Sequence, residues 1–103
     1  AAYTSTKGAL NTLTKNVAIR LIDTNIRCNA VAPGATVTPA HLTNKAGEQP
    51  GGAEMLKYSG HFVYFPGPEC DPMDQAYACL YLASKMGCHL KGQVLQVCNG
   101  AFL

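Results

Sequence analysis

Apolar residues recur at three- and four-residue spacing through the first 23 positions: Leu10, Leu13, Val17 and Leu21, with Ala18 and Ile22 beside them. Asn11, Lys15, Asn16, Arg20 and Asp23 take the other side. That period predicts an amphipathic helix over 1–23, ending where Asp23, Thr24 and Asn25 cluster. The pattern then changes. Residues 26–32 show polar side chains only near their start and stop at Pro33-Gly34. They predict a short strand buried on both faces, as in a parallel sheet. Thr38-Pro39 pairs a capping hydroxyl with a proline at the first helical position and predicts a short helix, broken by Gly47 to Gly52. Residues 53–59 add one or two turns. Residues 60–71, rich in glycine, proline and aromatic side chains, predict a loop folded over something. Asp71-Pro72 repeats the cap-plus-proline signature. The helix it opens carries Ala76, Leu80 and Ala83, with Tyr77, Cys79 and Tyr81 alongside, and stops near Met86-Gly87. Residues 93–98 read as a closing strand, Val94, Gln96 and Cys98 alternating with Leu95 and Val97.

The order helix, strand, broken helical segment, helix, strand implies an α/β fold. Two strands are fewer than the roughly four to six of an ordinary sheet. No Ser, Thr, Asp or Asn precedes Ala1 to cap the first amides, and the chain does not start with Met. These features lead us to expect one portion, residues 1–103, of a larger sheet whose earlier half is absent.

Charged residues make up only 14% of the 103, against roughly 25% in an average soluble domain, which points to extensive burial. A net charge of +2 without a Lys/Arg cluster argues against a nucleic-acid partner. No apolar run reaches the roughly 18–20 residues of a membrane span. The five cysteines, at 28, 70, 79, 88 and 98, are odd in number and show no C-x-x-C spacing. His41, His61 and His89 do not complete a metal-ligand pattern with them. Free thiols in a reducing, cytoplasmic setting are expected, with Cys28, Cys79 and Cys98 as small core residues.

Two short motifs carry chemistry. Tyr3 and Lys7, four apart on a helix, face the same way. A tyrosine ordinarily titrates near about 10, and an ammonium close by favours its phenolate, so such a pair can exchange a proton with an alcohol or carbonyl. By spacing alone, a solvated helix face is the commoner meaning. Pro33-Gly34 directly after a buried strand, followed by Thr36 and Thr38, offers exposed backbone and two hydroxyls where ligands bind doubly wound sheets. By itself it is most often only a turn.

Taken together, the motifs "AYTSTKGAL", "NIRCNAVAPG" and "TVTP" resemble the short-chain dehydrogenase/reductase family. The pattern is Tyr-x-x-x-Lys on a long helix, a strand ending Asn-x-x-x-Pro-Gly, and a threonine four residues later: Tyr3, Lys7, Asn29, Pro33, Gly34 and Thr38. The tail, with its proline-acidic helix entry, "LAS" and "GQVLQVCNG", is similar too. The resemblance implies the later part of a Rossmann-type doubly wound parallel sheet. It implies hydride transfer between NAD or NADP, the choice left open, and an alcohol or carbonyl substrate. Tyr3 would be the general acid/base and would also contact the cofactor. Lys7 would hold the nicotinamide ribose hydroxyls and favour the tyrosine phenolate. Pro33 and Gly34 would run beside the nicotinamide, the backbone of Thr36 would meet its carboxamide, and the Thr38 hydroxyl would bind the cofactor. Residues 39–70 would be the substrate loop, in which Phe62, Tyr64 and Phe65 either line an apolar pocket or pack. Asn29 would be structural, and the intact protein a homodimer or homotetramer paired in part through helix 1–23. The glycine-rich loop and the catalytic serine of the family are absent, and Cys98-Asn99 replaces the usual Asp-Gly. A non-catalytic remnant or interaction module is the alternative reading.

Overall fold

The computed structural model describes residues 2–39, 46–64 and 67–102. It consists of two compact units, Ala1–Ala32 with Ala76–Gln96, and Pro33–Gln75 with Val97–Leu103. Each is taken by itself.

The first unit opens with α1, Ala2–Arg20, three residues short of the predicted end. It carries no acid in its first turn and Arg20 in its last, so only its C-terminal end has a charge that suits the helix dipole. The chain then turns through Thr24, whose hydroxyl donates to the Leu21 carbonyl. Lys91 donates to the carbonyls of Ile22 and Thr24 at 2.8 and 2.9 Å, so a distant ammonium caps the end of this segment. Of the predicted apolar stripe, Ala18 is buried and Val17 half-buried. Leu10 and Leu13 remain exposed, because no described residue covers that part of the helix.

Two strands follow the α/β reading: β1, Ala30–Pro33, and β2, Val94–Val97, paired in one sheet. The Ala30 amide donates to Gln93 and the Gly34 amide to Val97, a constant offset that makes the pair parallel. The strand predicted over 26–32 thus begins late and reaches Pro33. Its early residues make one backbone bond, the Gly92 amide donating to the Cys28 carbonyl at 2.8 Å, and otherwise use side chains. The Asn29 carboxamide donates to the Leu90 carbonyl and accepts from the Gln93 amide, both at 2.9 Å. Arg27 donates to the carbonyls of Leu82, Ala83, Ser84 and Gly87, which end the long helix and the turn after it.

That helix is α3, Pro72–Ala83. The sequence capping signal is realised: the Met73 amide donates to the Asp71 carboxylate, and the Asp71 amide to the Asp74 carboxylate, each at 2.8 Å. The buried residues are Ala78 and Leu82. Ala76, Leu80 and Ala83, which the sequence reading put forward, lie on the exposed side. Cys79 is exposed as well and Cys28 and Cys98 are half-buried, so the expected cysteine core is corrected: Cys70 is the buried thiol.

In the second unit, a 3-10 turn, Ala46–Glu48, precedes α2, Gly52–Ser59. Gly51 and Gly60 flank α2, and Gly51 takes the left-handed conformation at φ 75°. Pro39 is helical, and the rest of the helix expected there lies outside the described residues, as do His41 and Phe65. The loop over 60–71 is not wholly irregular. Thr36 and Cys70 form a parallel bridge through the Ala35 carbonyl, the Cys70 backbone and the Val37 amide.

Candidate active site

The sequence-predicted residues fall into two sets. In the first unit, Tyr3 and Lys7 stand one turn apart on α1, both exposed, with Tyr3 at 74%. The Lys7 ammonium lies 5.6 Å from the centroid of the Tyr3 ring, a cation–π distance. The pair is therefore together, with the ammonium over the ring face and the phenol open to a ligand. Such a pair offers one O–H that can donate or accept and three N–H donors.

In the second unit, Pro33, Gly34, Thr36 and Thr38 follow one another out of β1. Pro33 is exposed, and the other three are half-buried. A methyl group built on Gly34 would come within 2.6 Å of Cα and Cβ of Cys98, so only glycine lets the turn lie against the end of β2. The Thr36 hydroxyl donates to the Gly34 carbonyl at 3.0 Å. The bridge to Cys70 uses the Ala35 carbonyl and the Val37 amide, leaving the N–H and C=O of Thr36 outside it. Among the described residues neither group has a partner. A donor and an acceptor side by side on one residue match a primary carboxamide.

A cavity of about 300 Å³ lies in the same unit, with Ala35, Val63, Tyr64, Pro68, Cys98 and Phe102 among its lining residues. Tyr64 therefore lines a pocket, whereas Phe62 is 81% exposed and does not. Burial holds the Cys70 thiol above its ordinary pKa, and the nearby Asp74 and Cys98 act in the same direction. No cluster of potential metal ligands occurs among the described residues.

Several residues here were not foreseen. Gln75 donates to the Thr36 hydroxyl and the Val97 carbonyl. Its sequence signal is a polar residue three and seven positions before Ala78 and Leu82, on the stripe that is buried. Asn99 has a left-handed backbone, φ 48°, and donates to the Pro68 carbonyl at 3.1 Å. The Asn-Gly pair at 99–100 marks that turn, and it supplies a physical reason for asparagine at this corner.

A family model described as enoyl-(acyl carrier protein) reductase matches residues 1–101. The chain is 36% identical over 99 residues to the 7α-hydroxysteroid dehydrogenase of Clostridium sardiniense, covering 96% of this chain and 35% of that protein. It is 35% identical over 102 residues to the 2-(R)-hydroxypropyl-CoM dehydrogenase of Xanthobacter autotrophicus, covering 98% of this chain and 38% of that protein. Among solved structures it is similar to a hydroxysteroid dehydrogenase from Escherichia coli, at TM-score 0.73 and 31% identity over 98% of this chain and 39% of that one. It is also similar to the 3-ketoacyl-(acyl-carrier-protein) reductase from Brucella melitensis complexed with NADH, at TM-score 0.71 and 30% identity over 95% and 35%. The chain belongs to the short-chain dehydrogenase/reductase family, and its fold is of the Rossmann type. It spans about 35% of the length of the first of these relatives.

Proposed function

We propose that this chain carries the proton-transfer pair and the nicotinamide-facing turn of an NAD(P)-dependent oxidoreductase acting on an alcohol or carbonyl. The observation that carries the reading is the Tyr3–Lys7 pair, one turn apart on α1 and open to a ligand, with the ammonium 5.6 Å from the ring centroid. Membership of the family supports it, as do the relatives named for hydroxysteroid, hydroxypropyl and ketoacyl chemistry.

In this reading Tyr3 donates its phenolic proton to the carbonyl oxygen in reduction and accepts it from the alcohol in oxidation. The Lys7 ammonium, beside the Tyr3 ring, would offer donors to the ribose hydroxyls of the cofactor. The N–H and C=O of Thr36 would hold the carboxamide, and Pro33, Gly34 and Thr38 would complete the cofactor site around it. The dinucleotide, when bound, supplies or takes up the hydride. Residues 39–70 form the substrate loop, and the cavity beside Tyr64 and Phe102 accepts an apolar part of the substrate. The exposed apolar residues of α1 support a subunit contact, as a homodimeric or homotetrameric enzyme would have. Cysteines with no disulfide spacing support a reducing compartment such as the cytoplasm. By itself the chain would turn over no substrate.

The test is Tyr3→Phe in the full-length enzyme. Turnover is expected to fall by roughly 10²–10⁴-fold, the usual worth of a positioned acid/base, while cofactor affinity falls far less. A Tyr3→Phe enzyme with wild-type turnover would remove Tyr3 from the mechanism.

A further inference from the structure

The polar groups around Gly34 close into a ring. The Gly34 amide donates to the Val97 carbonyl at 2.8 Å, and the Gly34 carbonyl accepts from the Thr36 hydroxyl at 3.0 Å. One side chain joins these two bonds: the Gln75 amide nitrogen donates to the Thr36 oxygen at 3.3 Å and to the Val97 carbonyl at 3.2 Å. The orientation of that amide is fixed, because a carbonyl such as Val97 can only accept. Its own oxygen, Oε1, is then buried without a partner among the described residues.

We propose that Gln75 is a positioning residue for the nicotinamide end of the cofactor, acting through the Gly34–Thr36 turn. The inference rests on the oxidoreductase reading above. Gln75 itself touches neither reacting group. It holds the Thr36 side chain from one direction and the acceptor of the Gly34 amide from another. The peptide between them therefore has one setting, and the N–H and C=O of Thr36 point one way.

The stranded Oε1 separates this role from simple stability. A buried acceptor without a donor is costly, whereas an apolar side chain of similar shape strands nothing. Without Gln75, the Val97 carbonyl keeps the Gly34 amide, and the Thr36 hydroxyl keeps the Gly34 carbonyl. Gln75→Leu therefore should not lower the melting temperature. Its effect should fall on how firmly the turn is set, and so on the ring end of the ligand alone.

The experiment uses the full-length enzyme and compares two ligands by calorimetry. One is NADH or NADPH, whichever the wild type binds more tightly. The other is the matching ADP-ribose, which lacks the nicotinamide. Gln75→Leu is expected to weaken the dinucleotide by about three- to tenfold, the usual effect of losing one or two hydrogen bonds, and to leave ADP-ribose within about twofold. Thr36→Val, which keeps the backbone but removes the hydroxyl link, should do the same, and the double variant should add little to either. Thr36→Val also carries the test should Gln75→Leu fail to fold. Equal weakening of both ligands, or an unchanged dinucleotide affinity, overturns the proposal. A wild type that binds neither ligand defeats the oxidoreductase reading itself, and the role of Gln75 with it. A wild type that binds both while Tyr3→Phe keeps full turnover defeats only the assignment of Tyr3.

Discussion

Gly34 shows how a single missing methyl group governs a site. Its would-be Cβ meets backbone and side-chain atoms of Cys98 at 2.6 Å, closer than carbon atoms pack. Gly34→Ala should therefore displace either the turn or the end of β2. We expect a loss of about 1–3 kcal/mol in urea unfolding, the range for overpacking a tight contact. Cys70 makes a second prediction. Its thiol is raised above the ordinary 9.0 by burial, with Asp74 and Cys98 adding to the shift. The unfolded chain releases that proton first as pH rises. Stability from this group is thus complete below about pH 9, where an ordinary thiol titrates, and is lost as pH climbs through the higher folded value. Native alkylation with iodoacetamide, followed by peptide mass mapping, should label the exposed Cys79 and Cys88 well before Cys70. Equal labelling would mean that Cys70 is not sheltered. The sequence did not single out Cys70, because its burial comes from a bridge to Thr36, far away in the chain.

At the scale of elements, charges and carboxamides from distant segments finish what local sequence begins. Arg27 gathers four carbonyls at the end of α3 and in the turn beyond it. Arg27→Met keeps the aliphatic length and removes the donors. We expect a cost of about 1.5–3 kcal/mol, since these are hydrogen bonds to a charged group, read as a lower urea midpoint at unchanged slope. Asp71 caps the start of the same helix, and Asp71→Ala should cost about 1 kcal/mol in the same assay. The two ends of α3 differ in legibility. Its start was plain in Asp71-Pro72, because a cap acts within three residues. Its end was legible only approximately, because Arg27 lies 55 residues from Leu82. The same reason explains β1. Residues 26–29 have strand-like composition, yet Asn29 and Arg27 take up backbone groups with their side chains, and the ladder starts only at Ala30.

At the scale of the molecule, the described residues bury four apolar side chains, Ala18, Cys70, Ala78 and Leu82, while Leu10, Leu13, Ile19 and Leu80 stay more than half exposed. A low charge content had implied more burial than this chain achieves with its own residues. Apolar surface on this scale favours association. We expect the isolated 103-residue chain to bind a hydrophobic dye and to associate with rising concentration in sedimentation experiments. A monodisperse monomer with a sharp unfolding transition would contradict that. No described helix is long and apolar enough to cross a membrane.

The sequence by itself determined what depends on short range and on pattern. It placed Tyr3 and Lys7 on one helix face, the Pro33-Gly34 turn after a strand, the cap of α3, the α/β order and the family. The first three follow from residues within a few positions of one another; the order and the family follow from several such local patterns taken together along the whole chain. Only the tertiary structure decided which face of α3 is buried, that Cys70 and not Cys79 is the sheltered thiol, that Asn99 holds the corner after β2 by reaching Pro68, and that Gln75 closes the ring around Gly34. The Gln75–Thr36 bond joins residues 39 apart. Contacts at such separation are made by the fold and not by neighbours, so periodicity and caps carry no trace of the partner.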